Sequence, residues 1–138
     1  MYFIDTNIFF EWLLGREKAK ECEQLLEALE KSKMPAFCSH FSVHSVCIYF
    51  SKNKMPVAKK FVKYVKAFQA LQTINTSLED DFEILEAMTK FGLDFDDALQ
   101  YYMAKQIGCT EIITFDKDFK KTDLKPITPS QALKELGR

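Results

Sequence analysis

Apolar and polar positions along the chain follow two rhythms, one suited to short buried strands and one to amphipathic helices. "YFID" at residues 2–5 is a brief apolar run that ends on an acid, and it predicts a buried strand closing at Asp5. From about Glu17 to Lys31, Cys22, Leu25, Leu26 and Leu29 recur at helical spacing among charged neighbours, which predicts an amphipathic helix. "MPAFCS" is a second short strand, with Pro35 tolerated at its start. The length of "HFSVHSVCIYFSK" and its run of Phe41, Val43, Val46, Ile48 and Phe50 predict a largely buried helix, capped by Ser39 or Ser42. Pro56 suits the first turn of another helix, "PVAKKFVKYVKAFQAL", with lysines on one side and Phe61, Val62, Val65 and Phe68 on the other.

"LQTINT" predicts a third strand. Thr76-Ser77 before Glu79 and Asp80 is a capping-box signal for the helix "LEDDFEILEAMTKF", stopped at Gly92. Asp94, three residues before Asp97, opens the helix "FDDALQYYMAKQI", which Gly108 closes. "TEIITFD" is the clearest strand, "KPIT" a short last one, and Ser130 is placed to cap a terminal helix, "QALKELG". Strands alternate with helices over 1–138 without repeats or low-complexity tracts. That order predicts one α/β domain of three layers, a mainly parallel sheet of four or five strands with helices on both faces. Right-handed crossovers follow.

Composition adds little, since 47% hydrophobic and 28% charged residues describe an ordinary globular chain. No apolar run reaches the length of a membrane span, and the acidic N-terminus lacks the basic start of a signal peptide. Cys22, Cys38, Cys47 and Cys109 form no CxxC pair, which predicts reduced thiols and a cytoplasmic protein. The net charge of −1 conceals a segregation that changes the picture. No acid occurs from Lys31 to Leu78, where there are eight lysines, whereas residues 79–118 carry eleven acids against three bases. A lysine-rich surface beside an acidic centre suits a phosphate backbone near a site for cations; a solvated lysine face is the plainer reading.

In an open parallel sheet, sites form beyond the carboxyl ends of the strands. Asp5 and Asp116 each close a strand there, and the helix opened by Asp94, Asp96 and Asp97 begins toward the same edge. Taken singly, each acid has a structural role: Asp5 starts a turn, Asp94 caps a helix with Asp97 favoured by the helix dipole, and Asp116 turns the chain. Together they repel unless a cation intervenes, and hard oxygen ligands of this kind suit Mg²⁺ or Mn²⁺. His40 and His44 stand at i, i+4, a metal-compatible spacing without an HExxH context.

Three stretches in order, "FIDTNIF", "GLDFDDALQYYMAKQIGC" and "EIITFDKDFKK", resemble the PIN-domain nucleases, and among them the VapC-type toxins, over nearly the whole chain. The resemblance implies a PIN-like α/β/α sandwich and a Mg²⁺- or Mn²⁺-dependent ribonuclease that hydrolyses RNA phosphodiester bonds. It also implies a homodimer restrained by a cognate antitoxin. On this pattern Asp5, Asp97 and Asp116 are the catalytic, metal-binding acids. Thr6 and Asn7 accompany the first acid, Thr114 precedes the last, and Asp118 supports it. Lys52, Lys54, Lys59, Lys60, Lys63 and Lys66 would hold the RNA backbone.

One position departs from the family pattern: the helix after the second strand usually carries a glutamate, and Ser45 stands there, beside His44. Three readings stay open. The nuclease is weaker but active, a fourth ligand comes from elsewhere with Asp94 as the candidate, or the domain keeps the fold as a non-catalytic module that binds RNA or a partner. An aspartyl phosphotransferase fits poorly, because the second acid such enzymes place two residues after the first is here Asn7.

Overall fold

The structure is a computed structural model and describes residues 1–137. Five strands form one parallel sheet: β1 (Tyr2–Ile4), β2 (Ala36–Ser39), β3 (Leu71–Ile74), β4 (Glu111–Ile113) and β5 (Lys125–Ile127), in the spatial order β3-β2-β1-β4-β5. The helices are α1 (Thr6–Leu13), α2 (Ala19–Ser32), α3 (His40–Asn53), α4 (Met55–Ala67), α5 (Leu78–Phe91), α6 (Phe95–Gln106) and α7 (Pro129–Glu135), with a 3₁₀ turn over Lys117–Lys121.

The pleat of the central strand divides the molecule into layers, because successive side chains of a strand point to opposite faces. Tyr2 and Ile4 enter a core with α1, α2, α3, α4 and α7, built around Phe9, Leu25, Leu29, Phe50 and Phe61. Phe3 enters the other core with α5 and α6, beside Ile84, Leu99, Met103 and Phe119. On β4, Ile113 joins the first core and Ile112 the second. Strands with both faces covered need no polar alternation, which is why these short runs read as continuously apolar.

Several local expectations change. Helix α1 follows β1 with only Asp5 between them, although the apolar run "NIFF" carries no helix-start signal beyond that single acid. Helix α3 forms where expected, with Ser39 as its cap accepting from the Ser42 N–H at 3.0 Å, yet Phe41 and Ile48 on it are exposed rather than buried. Val62 of α4 is likewise exposed, while Phe61 and Phe68 are buried. The cap of α7 is Thr128 and not Ser130: Pro129 takes the first helical position, and Thr128 and Gln131 form a reciprocal capping box. The Ser77–Asp80 capping box of α5 and its stop at Gly92, in the left-handed region, match the sequence.

Candidate active site

The carboxyl ends of β1, β2 and β4 meet the start of α6 at one edge of the sheet. Asp5 stands at the tightest point of this edge. Its backbone N–H donates to the Ile113 carbonyl at 3.0 Å, extending the β1–β4 ladder by one residue. Its side chain caps α1, with Oδ1 accepting from the Thr6 N–H at 2.8 Å. The second oxygen, Oδ2, accepts from the Thr114 hydroxyl at 2.6 Å. Only 2% exposed, the carboxyl is pushed up to about 7, chiefly by burial and also by the negative charges of Asp96 and Asp116, against the two hydrogen bonds that favour its ionised form.

Thr114 organises the opposite side. The same Oγ1 that donates to Asp5 accepts from the Asp116 N–H at 2.9 Å and from Asn7 Nδ2 at 3.4 Å. Asp116 Oδ1 in turn accepts from the Asp118 N–H at 2.8 Å and so starts the 3₁₀ turn. On α6, Asp94 is the N-cap and accepts from the Asp97 N–H at 2.8 Å. This cap aims Asp97 inward, where it is 7% exposed and its carboxyl lies within hydrogen-bonding reach of Asp116. Burial raises the Asp97 pKa well above the carboxylate range, and the contact and repulsion with Asp116 raise it further, followed by the charges of Asp5 and Asp94.

Asp97, Asp116 and Asp118 can each offer an oxygen so that all three lie within 4.8 Å of one another. Among the described residues, the one ion pair in this group is Asp118 with Lys121 at 3.6 Å, an exposed contact. No basic side chain among the described residues is ion-paired with Asp5, Asp97 or Asp116. A divalent cation fits such a set, since it relieves the repulsion and uses hard carboxylate oxygens. Asn7 Oδ1, buried without a hydrogen-bond partner, is a further oxygen donor at this edge.

A second layer of contacts was not legible in the sequence. Gln100, fully buried on α6, directs Nε2 to Asp96 Oδ1 at 2.9 Å, Thr6 Oγ1 at 3.0 Å and Ser42 Oγ at 3.2 Å. Ser42 Oγ shares a hydrogen bond with Thr6 Oγ1 at 2.6 Å and another with Ser39 Oγ at 3.0 Å. This chain ties α1, α3 and α6 together behind the acids. The only signal for Gln100 was its place four residues after Asp96, one helical turn along the same face.

Among the described residues, the remaining candidates form no hydrogen bond or ion pair with these acids. Ser45 donates to the Phe41 carbonyl of its own helix at 2.9 Å. His40 and His44 stack on each other, with ring centroids 4.1 Å apart. All six lysines are exposed. Lys52 lies thirteen residues along α3 from the Ser39 cap, which at 1.5 Å per residue is about 20 Å from the acidic edge. Lys59, Lys63 and Lys66 rim a groove between α3 and α4 floored by Ile48, Met55 and Val62.

The PIN domain family model matches residues 2–125. Ribonuclease VapC1 of Aquifex aeolicus (strain VF5) is 25% identical over 131 residues, which cover 94% of this chain and 90% of the relative. A VapC ribonuclease of the same organism is 23% identical over 131 residues, covering 94% and 97%. Among solved structures, a toxin-antitoxin complex from Klebsiella pneumoniae superimposes with a TM-score of 0.70 at 23% identity, over 94% of this chain and 98% of that one. VapBC2 from Rickettsia felis, bound to a DNA fragment from their promoter, gives 0.72 at 19% identity, over 92% and 97%.

Proposed function

The chain belongs to the PIN-domain family, and from that premise we propose that it is a divalent-metal-dependent endoribonuclease and the toxin of a toxin–antitoxin pair. The observation that carries this reading is the buried Asp97 beside Asp116, with the buried Asp5 joined to Asp116 through Thr114, and no basic partner among the described residues to neutralise them. Asp5, Asp97 and Asp116 would hold Mg²⁺ or Mn²⁺, with Asp118 in support and Asp94 as the cap that aims Asp97. Such an ion supplies charge neutralisation at phosphoryl oxygens and an acidified water.

The chain's own residues prepare the site for this. Thr114 fixes the Asp5 carboxyl by donating to one oxygen, and it favours the ionised form that a cation requires. The α6 N-terminus brings its positive dipole end beside Asp97, which favours anionic groups at that edge. Lys52, Lys54, Lys59, Lys60 and Lys63 would bind the RNA backbone as point charges along α3 and α4, away from the acids.

An antitoxin partner is supported by the nature of the VapBC assemblies to which the fold is similar. The groove of Ile48, Met55 and Val62 is the kind of exposed apolar patch that a partner or a second copy covers. No helix among the described residues is long and apolar enough to cross a membrane, and the four cysteines are free, which suits a cytoplasmic site of action. Purified protein with Mn²⁺ should cleave RNA, and Asp97→Asn should abolish the cleavage; equal cleavage by both would assign the activity to another source.

Ser45, turned into its own helix, favours one other reading, a PIN-like module that binds RNA or a partner without catalysis. Thermal stability measured against Mn²⁺ separates the two. A melting temperature unmoved by millimolar ion would leave the binding module standing.

A further inference from the structure

The acid that the family pattern places on the helix after β2 is missing, and no residue from Lys31 to Leu78 can supply it. Ser45 itself does not reach toward the acidic edge, because its hydroxyl is spent on the Phe41 carbonyl. The candidate read from sequence, Asp94, is exposed and already caps α6 through Oδ1. Asp96, between Asp94 and Asp97, is different. It is half-buried and turned toward α1 and α3, since Gln100 binds it with the same nitrogen that reaches Thr6 and Ser42.

We propose that Asp96, held by Gln100, supplies the fourth carboxylate of the cation site and so takes over from α6 the role left vacant at Ser45 on α3. The proposal rests on the metal-dependent reading given above. Three features support it. Gln100 is a neutral donor, so it fixes the carboxylate without cancelling its charge, as a lysine or arginine would. The hydroxyls of Thr6 on α1 and Ser42 on α3 brace the amide from two other elements, and Ser39 in turn holds Ser42, so its position is over-determined. Gln100 Nε2 lies 2.9 Å from Asp96 Oδ1 and 3.0 Å from Oγ1 of Thr6, the residue after Asp5, so one side chain links Asp96 to the start of α1.

The test is Mn²⁺ affinity of the metal-free full chain, read by calorimetry and by the paramagnetic resonance of free Mn²⁺, without any cleavage assay. Asp96→Asn keeps the oxygen that Gln100 donates to and should melt no lower than the wild type when metal-free. It should weaken Mn²⁺ binding by about tenfold or more, because fixed ligand charge sets the affinity for a hard cation. Asp94→Ser, which keeps a capping oxygen, should change affinity by less than about threefold. Ser45→Glu added to Asp96→Asn should recover part of the loss. Gln100→Leu should weaken binding in the wild-type background and add nothing to Asp96→Asn, a non-additivity that a purely structural glutamine would not give. Wild-type affinity in Asp96→Asn, or an equal loss in Asp94→Ser, overturns the proposal while leaving the nuclease reading intact. Absence of Mn²⁺ binding by the wild type overturns both.

Discussion

Replacing Asp5 by asparagine should make the metal-free protein more stable at neutral pH, even though it removes a carboxylate at the centre of the site. The folded protein holds this proton up to about pH 7, whereas the unfolded chain releases it near 3.8. Between those values the folded state binds more protons, so stability falls as pH rises through that window and the full penalty is present above it. The interval, at about 1.4 kcal/mol per pH unit, sets a ceiling of about 4 kcal/mol on the penalty. Asparagine forfeits part of this gain, because it must meet both the Thr6 N–H and the Thr114 hydroxyl with only one acceptor oxygen. A net gain of about 2 kcal/mol at pH 8 remains, worth roughly 6–10 °C in melting temperature for a chain of this size. At pH 4 the difference should vanish or reverse, since wild-type Asp5 is then protonated in the folded state. Thermal and urea denaturation in EDTA at the two pH values measure it. With Mn²⁺ in place of EDTA the order should invert, as only the wild type gains the linkage energy of binding. An Asp5→Asn protein no more stable than wild type at pH 8 in EDTA would refute the claim that this acid is held at an electrostatic cost.

Two further outcomes follow from the same geometry. Thr114→Val removes the hydroxyl that favours ionised Asp5, so its pKa rises further and Mn²⁺ binding at pH 7 should weaken by about tenfold, the size expected for losing a hydrogen bond to a charged group. The loss should shrink as pH is raised to 9; a loss independent of pH would assign Thr114 a packing role alone. Changing Lys59, Lys60 and Lys63 together to alanine, in a cleavage-dead Asp97→Asn background, should make the plot of log affinity for single-stranded RNA against log salt shallower by about 2, or about 0.7 per lost phosphate contact. An unchanged slope would place the RNA elsewhere.

The sheet was legible because both of its faces are covered. Each strand is a short apolar run bounded by a polar or turn residue, and the acids fall just past the ends of β1 and β4. Helix α1 was not legible, because Asp5 serves as the end of the strand and the cap of the helix at once, leaving no loop composition to mark the boundary. The burial of α3 was over-read for a different reason. Its apolar residues do not keep to one stripe, so Phe41 and Ile48 fall on the outward side while Val43, Val46 and Phe50 pack inward. At the site, Asp97 and Asp116 could be anticipated from the shared edge of parallel strands. Gln100 and Ser42 could not: in a linear chain a glutamine in a helix is an ordinary solvent-facing residue, and only the packing of α6 against α1 and α3 makes it a buried brace.

The strand order gives the site a place in time as well as in space. Of the acids at this edge Asp5 is made first, and it stands just past the middle strand of the sheet. Its partner Thr114 is 109 residues further along the chain, just past the end of β4. A nascent or prematurely terminated chain that stops before β4 therefore has the first acid but no Thr114 or Asp116 to build a site around it. A site of this topology closes only once β4 has been made and has reached β1, with no separate device needed to delay it.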